Sequence, residues 1–186
     1  MKTNTKRVSL SFRVALACVF PCVSSLRANP AGESVAAGAA TFNRAGSMLT
    51  INQSTPRLIV NWKDFSIAAG ELTRFNQPGA SAAVLNRVMT GNPSAIYGTL
   101  QANGTVFLVN PSGILVGPGG VVNTHNFVGT TLNIDNRSFL SSVGLTLRGS
   151  STAGIDNQGT IQALGGDVFL VAHTVENSRT IRAANG

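Results

Sequence analysis

Residues 104–109 read Gly-Thr-Val-Phe-Leu-Val and residues 114–116 read Ile-Leu-Val. Asn110-Pro111-Ser112-Gly113 separates the two runs, and Gly117-Pro118-Gly119-Gly120 follows the second. Each run is too short for a helix and is closed by turn residues. The pattern predicts strands of roughly three to five residues joined by sharp corners. In the first corner Asn bonds the backbone ahead, Pro presets φ at the second position and Gly closes the fourth. That predicts a type I turn. Pro111 has no N–H, so a sheet ladder must stop there.

The same alternation continues elsewhere. Residues 48–52 are short and β-prone. In residues 57–67, Val60 and Trp62 share one parity, Phe65 and Ile67 the other. A one-residue switch near Asp64 would keep all four in one core. Residues 127–134 alternate, with Val128, Thr130, Leu132 and Ile134 on one face of a predicted strand. Leu145-Thr146-Leu147 repeats the pattern briefly. Residues 80–89 read as a strand, although Val84, Leu85 and Val88 also fit one helical face. Residues 29–46, rich in Ala and Gly, predict a loose N-terminal cap around Val35 and Phe42.

A repeat organises these pieces. Ile155-Asp156-Asn157-Gln158-Gly159-Thr160-Ile161-Gln162-Ala163 returns 20 residues later as Val175-Glu176-Asn177-Ser178-Arg179-Thr180-Ile181-Arg182-Ala183. Residues 166–171, Gly-Asp-Val-Phe-Leu-Val, echo residues 104–109. A fixed period near 20 marks a solenoid whose coils bury their apolar faces by stacking. Bends that are not reversals make coils, and stacked coils make parallel sheets with dry inner faces. The expectation is an all-β, right-handed parallel β-helix, a single-stranded pectin-lyase-like solenoid with an N-terminal cap. An antiparallel β-sandwich is the alternative.

Composition agrees. Only 11% of the 186 residues are charged, and 20 are glycine. The formal charge of +7 is misleading, because Lys2, Lys6, Arg7, Arg13 and Arg27 lie in the first 28 residues. The remaining basic residues nearly balance the seven acids, and no basic–aromatic cluster remains. Nucleic acid is therefore excluded as a partner. Residues 1–13 are basic, 14–23 apolar, and 24–28 short with Ala28 at the end. This order predicts a signal peptide over residues 1–28, whose apolar run is too short to span a bilayer, with no membrane insertion after cleavage. Cys18 and Cys22, the two cysteines, fall within it. The rest of the chain can form neither a disulfide nor a thiolate metal site.

Several ordered motifs carry a resemblance. They are Ile59-Val60-Asn61-Trp62-Lys63-Asp64-Phe65-Ser66-Ile67, Phe75-Asn76-Gln77-Pro78, Val84-Leu85-Asn86-Arg87-Val88, residues 92–100, and Asn103 through Asn110-Pro111-Ser112-Gly113-Ile114. Together they resemble the N-terminal secretion domain of two-partner secretion exoproteins, filamentous haemagglutinin-like and high-molecular-weight-adhesin-like. The resemblance implies a secretion domain over residues 29–134 and further β-helix coils over 135–186. It implies export by the Sec route and recognition by the periplasmic POTRA domains of an outer-membrane β-barrel transporter. It implies a secreted or cell-surface product whose coils fold outside the cell.

The family's Asn-Pro-Asn-Gly-Ile motif maps onto Asn110, Pro111, Ser112, Gly113 and Ile114, with Ser112 in place of the second Asn. A second family motif, Asn-Pro-Asn-Leu, has no copy, which suits the adhesin-like branch. Family exoproteins are far longer than this chain, which stops at Gly186 within a repeat. Binding of host or surface glycans would then belong to a passenger beyond it. Trp62, Phe65, Asn86 and Arg87 are assigned to structure, with Trp62 and Phe65 expected in the core. Asn157 and Asn177 are expected to stack at corners. The 110–114 motif is the expected transporter-recognition site, and Asn110 and Pro111 are open to both recognition and a structural role at the corner.

No enzyme site is expected. The acids are scattered, and only Asp156 and Glu176 should stack, as the carboxylates of a lyase would need to. His125 and His173 have no cysteine or spaced acid partner for zinc. There is no Gly-x-Ser-x-Gly elbow, and Gly117-Pro118-Gly119-Gly120 lacks the Lys-Ser/Thr of a phosphate loop. No cofactor is implied. A stand-alone carbohydrate-binding adhesin and a polysaccharide lyase are the alternative functions.

Overall fold

A computed structural model describes residues 29–141 and 144–184. The predicted signal peptide, with Ala28, Cys18 and Cys22, lies outside the described residues. The chain starts with two antiparallel additions, β1 (Ser34–Ala37) and β2 (Ala40–Ala45). Coiling then begins with β3 (Met48–Gln53) and β4 (Arg57–Trp62). The second coil holds β5 (Leu72–Asn76) and β6 (Ala83–Val88). The third holds β7 (Ser94–Ile96), β8 (Thr99–Ala102) and β9 (Thr105–Val109). The fourth holds β10 (Ile114–Val116), β11 (Val121–Thr124) and β12 (Asn126–Thr130).

An excursion follows, made of β13 (Asn133–Ile134), α1 (Asn136–Ser141) and β14 (Leu147–Arg148). Coiling resumes with β15 (Gly154–Asn157), β16 (Thr160–Ala163) and β17 (Val168–Val171), then β18 (Thr174–Asn177) and β19 (Thr180–Ala183).

The strands form three long sheets. Sheet I runs β1-β4-β6-β9-β12-β17, sheet II runs β2-β3-β5-β8-β11-β16-β19, and sheet III runs β7-β10-β15-β18. Apart from β1 and β2, every pair in these sheets is parallel. Ile161 pairs with Ile181 and Ile155 with Val175, so the 20-residue sequence repeat is one turn. The result is the predicted β-helix, a β-solenoid of about six turns. The echo also holds: Val106, Phe127 and Val168 share one register column of sheet I.

The corners behave as their residues require. Gly113 N–H donates to Asn110 O at 3.1 Å, closing the first predicted turn. Gly120 N–H donates to Gly117 O at 2.9 Å, with Gly119 at φ 78°, a conformation that favours glycine. Ser66 N–H donates to Asp64 Oδ1 at 2.9 Å. That side-chain turn makes the expected parity switch, and Val60, Trp62, Phe65 and Ile67 share one core.

The core has two parts. Inside the solenoid lie Leu58, Trp62, Val84, Val106, Leu108, Phe127, Leu100, Ile96 and Ile161 with their neighbours. Outside sheet I, a second cluster joins Ile59, Leu85, Phe107 and Val109 to Ile134 and Phe139 of the excursion. Sheet I is therefore buried on both faces, which explains continuous runs such as Val106-Phe107-Leu108-Val109 more fully than a dry inner face alone.

Three local readings need correction. The predicted strand over 127–134 breaks after Thr130. Phe127, not Val128, points into the solenoid, while Val128 and Ile134 join the outer cluster. With apolar residues required on both faces, parity no longer separates inside from outside. The second piece, β13, turns away to pair antiparallel with β14, whose strand is Leu147–Arg148 rather than residues 145–147. The N-terminal cap is not loose. β2 forms a six-pair antiparallel hairpin with β3 around Gly46-Ser47, and β1 pairs antiparallel with β4.

Candidate recognition motif

Asn110 lies at the corner between β9 and β10 and is fully buried. Its Oδ1 accepts from Ser112 N–H at 2.9 Å. Its Nδ2 donates to Asn92 O and to Ser94 Oγ, both at 2.9 Å. Both side-chain polar atoms are thus committed to one coil's turn and to the turn before it. Pro111 is exposed, and its carbonyl accepts from Ser151 Oγ at 2.6 Å as the chain returns from the excursion. Ser112 is half-buried. Gly113 has φ 109° and its carbonyl accepts from Ser94 N–H at 3.0 Å. Ile114 is buried in the core. Only Pro111 and part of Ser112 reach the folded surface.

The other singled-out residues brace neighbouring turns. Trp62 and Phe65 are buried and meet edge to face at 5.5 Å. Trp62 Nε1–H donates to Asn86 Oδ1 at 3.0 Å, and Asn86 Nδ2 donates to Phe107 O at 3.2 Å. Arg87 forks across the excursion, donating to Asn133 Oδ1, Ile134 O and Asn136 Oδ1 and back to Asn61 Oδ1. Burial lowers the Arg87 pKa from its ordinary value, and the nearby Asp135 carboxylate partly offsets this. Asn157 Nδ2 donates to Asn177 Oδ1 at 2.7 Å, the stacked pair the repeat predicts.

Asn92 and Ser94 lie in the 92–100 motif but carry no role of their own in the sequence, and Asn133 and Asn136 are not marked there. Asn92 and Ser94 matter through Asn110 in the next turn, and Asn133 and Asn136 through Arg87. Asp156 and Glu176 do pair in register, but on the outward face of their strands, opposite Ile155 and Asn157. Among the described residues no cluster of His, Cys, Asp or Glu is suited to hold a metal ion.

A family model described as the TPS secretion domain matches residues 26–186. The chain belongs to the TPS secretion domain family. Such domains belong to two-partner secretion exoproteins, which are secreted across the outer membrane and work with an outer-membrane TPS transporter. The family is a secretion domain of adhesin-like exoproteins.

A heme/hemopexin-binding protein of Haemophilus influenzae is 37% identical over 115 residues, 62% of this chain and 13% of that protein. A second protein of the same description and species is 37% identical over 90 residues, 48% of this chain and 10% of its own length. This chain thus matches only a small part of each curated relative. The crystal structure of the HMW1 secretion domain from Haemophilus influenzae superposes with a TM-score of 0.75 at 32% identity, covering 82% of this chain and 42% of that one. Among the described residues no helix is long and apolar enough to cross a membrane.

Proposed function

We propose that this TPS domain is the part of its exoprotein that the transporter's periplasmic POTRA domains recognise, and that it starts β-helix folding outside the cell. On this reading the chain reaches the periplasm by the Sec route, and residues 1–28 are removed as a signal peptide. The chain stays extended there, without disulfides. A β-prone segment adds as a strand to a POTRA sheet edge, where main-chain hydrogen bonds supply affinity and side-chain pockets supply selection.

The observation that carries this reading is the in-register stacking of the coils. The β1/β2 end is closed by antiparallel strands. From there each coil pairs parallel with the one before it, as Ile155 with Val175 and Ile161 with Ile181. A formed coil thus offers the template for the next, so folding outside would bias movement outward without an ATP site. The burial of Asn110 adds a second point. If the transporter reads this side chain, it reads it before the coil closes.

The test is secretion of Asn110→Ala, measured as protein in the medium against protein in the periplasm, together with binding of the variant to isolated POTRA domains. A periplasmic build-up with weakened POTRA binding is expected. Undiminished secretion would remove Asn110 from the recognition motif.

A further inference from the structure

The outer face of sheet I is covered by the excursion, whereas outward residues of sheet II such as Gln101, Asn123 and Gln162 are partly exposed. Shallow depressions lie along this face of sheet II, one of about 350 Å³ between Tyr97, Gln101 and Asn123 and another of about 270 Å³ reaching Thr124. We propose that this face binds an uncharged glycan, with Tyr97 as its stacking platform. The proposal goes beyond the transport role and does not depend on it.

Tyr97, the one tyrosine of the chain, is 42% exposed. Its ring lies close against the chain: a Cβ on Gly117 would come 2.2 Å from the Tyr97 Cε1. The ring also lines the first depression. An aromatic face backed by the chain suits the apolar C–H face of a sugar, and the phenol O–H can meet a hydroxyl.

Polar groups stand beside it. Gln101 and Asn123 are register neighbours on β8 and β11. Gln101 Oε1 accepts from Arg74 Nε at 3.0 Å, which leaves its Nε2 group available. The Asn123 amide has no side-chain partner among the described residues. Sugar hydroxyls, which both donate and accept, match such amides.

The charge pattern selects an uncharged ligand. Glu71 at the rim is 8% exposed, and its Oε2 accepts from Ala68 N–H. Arg74 is turned onto Gln101. Among the described residues no cluster of cations lines the depressions to hold an acidic polymer. Among the described residues the large exposed apolar side chains lining them are Tyr97 and Leu164, too little for a protein partner's anchors.

The full chain would be titrated with chitotetraose, cellotetraose and maltotetraose, and with a heparin-derived tetrasaccharide as the charged control. Side-chain amide NMR signals of Gln101 and Asn123 and the Tyr97 ring signals provide the readout. At least one uncharged sugar should shift them. Tyr97→Ala should then weaken binding by about tenfold, and Tyr97→Phe by less, since the stacking face is kept. If Tyr97→Ala fails to fold, Asn123→Ala serves as the second variant and should also weaken binding. The proposal is overturned if no uncharged sugar shifts these signals, if only the heparin fragment does, or if the variants that fold bind as tightly as the parent.

Discussion

Trp62 and Asn86 are joined across adjacent turns inside the solenoid, the indole N–H donating to the amide oxygen at 3.0 Å. Both side chains are buried, and Asn86 passes a second bond on to Phe107 O in the next turn. One amide thus ties three successive strands of sheet I. Asn86→Ala should lower stability by about 2–3 kcal/mol, because it strands the indole N–H in an apolar interior. A urea titration should show a lower midpoint at unchanged slope. In a double-mutant cycle with Trp62→Phe, the second change should cost less than it does alone.

Arg87 should matter more locally than globally. Its guanidinium is the clasp between the solenoid and the excursion, and a planar fork is needed to reach Asn133, Ile134 and Asn136 at once. Arg87→Lys should therefore behave nearly as Arg87→Ala does. Hydrogen exchange should speed up across β13 and α1, with the amides of β8 and β11 unchanged. Equal loss of protection in both places would show that the excursion is not a separate unit.

These two residues mark what could be read from the sequence. Turns and period were legible where chemistry recurs each coil, as in Asn157 above Asn177, or where one tetrapeptide makes its own corner, as in Asn110 to Gly113. The parity switch at Asp64 was legible for the same reason, since its bond reaches only two residues ahead. The excursion was not. Its helix, Asn136–Ser141, is short, and of its residues Phe139 is the buried one, so no helical stripe forms. The partners of Phe139 are Phe107 and the Arg57 cation, both set by folding rather than by spacing. The candidate motif was located, but the burial of its asparagine depends on Asn92 and Ser94, one turn away.

Asn110 has a structural role that can be separated from recognition. Asn110→Asp keeps the acceptor for Ser112 N–H but loses the donors to Asn92 O and Ser94 Oγ. It also places a carboxylate against a carbonyl in a buried site. Both Asn110→Asp and Asn110→Ala should destabilise the purified domain by about 1–3 kcal/mol, Asp by the larger amount. If POTRA binding of the unfolded chain falls for neither variant, the motif serves folding more than recognition.

Passage of an extended chain predicts that a closed coil blocks export. Thr160 and Thr180 are register partners on β16 and β19. Neighbouring strands lie about 4.8 Å apart, within reach of a disulfide. With Thr160→Cys and Thr180→Cys together, oxidised cells should hold the protein in the periplasm, and reductant should release it. Secretion unaffected by the oxidised bond would sink the unfolded-passage model.

Gly117 and Gly120 flank the same corner but should tolerate a methyl group very differently. At Gly120 a Cβ would lie 2.1 Å from Ile96 O, a backbone atom fixed in the stack. At Gly117 it would meet the Tyr97 ring, a surface side chain able to swing away. Gly120→Ala should therefore part the turns and cost about 3 kcal/mol or more, at the upper end of overpacking effects. Gly117→Ala should cost about 1 kcal/mol, while moving the Tyr97 ring signals in an NMR spectrum. Thermal unfolding of the two variants side by side checks the order. Equal losses would mean that Tyr97 is as firmly fixed as the backbone.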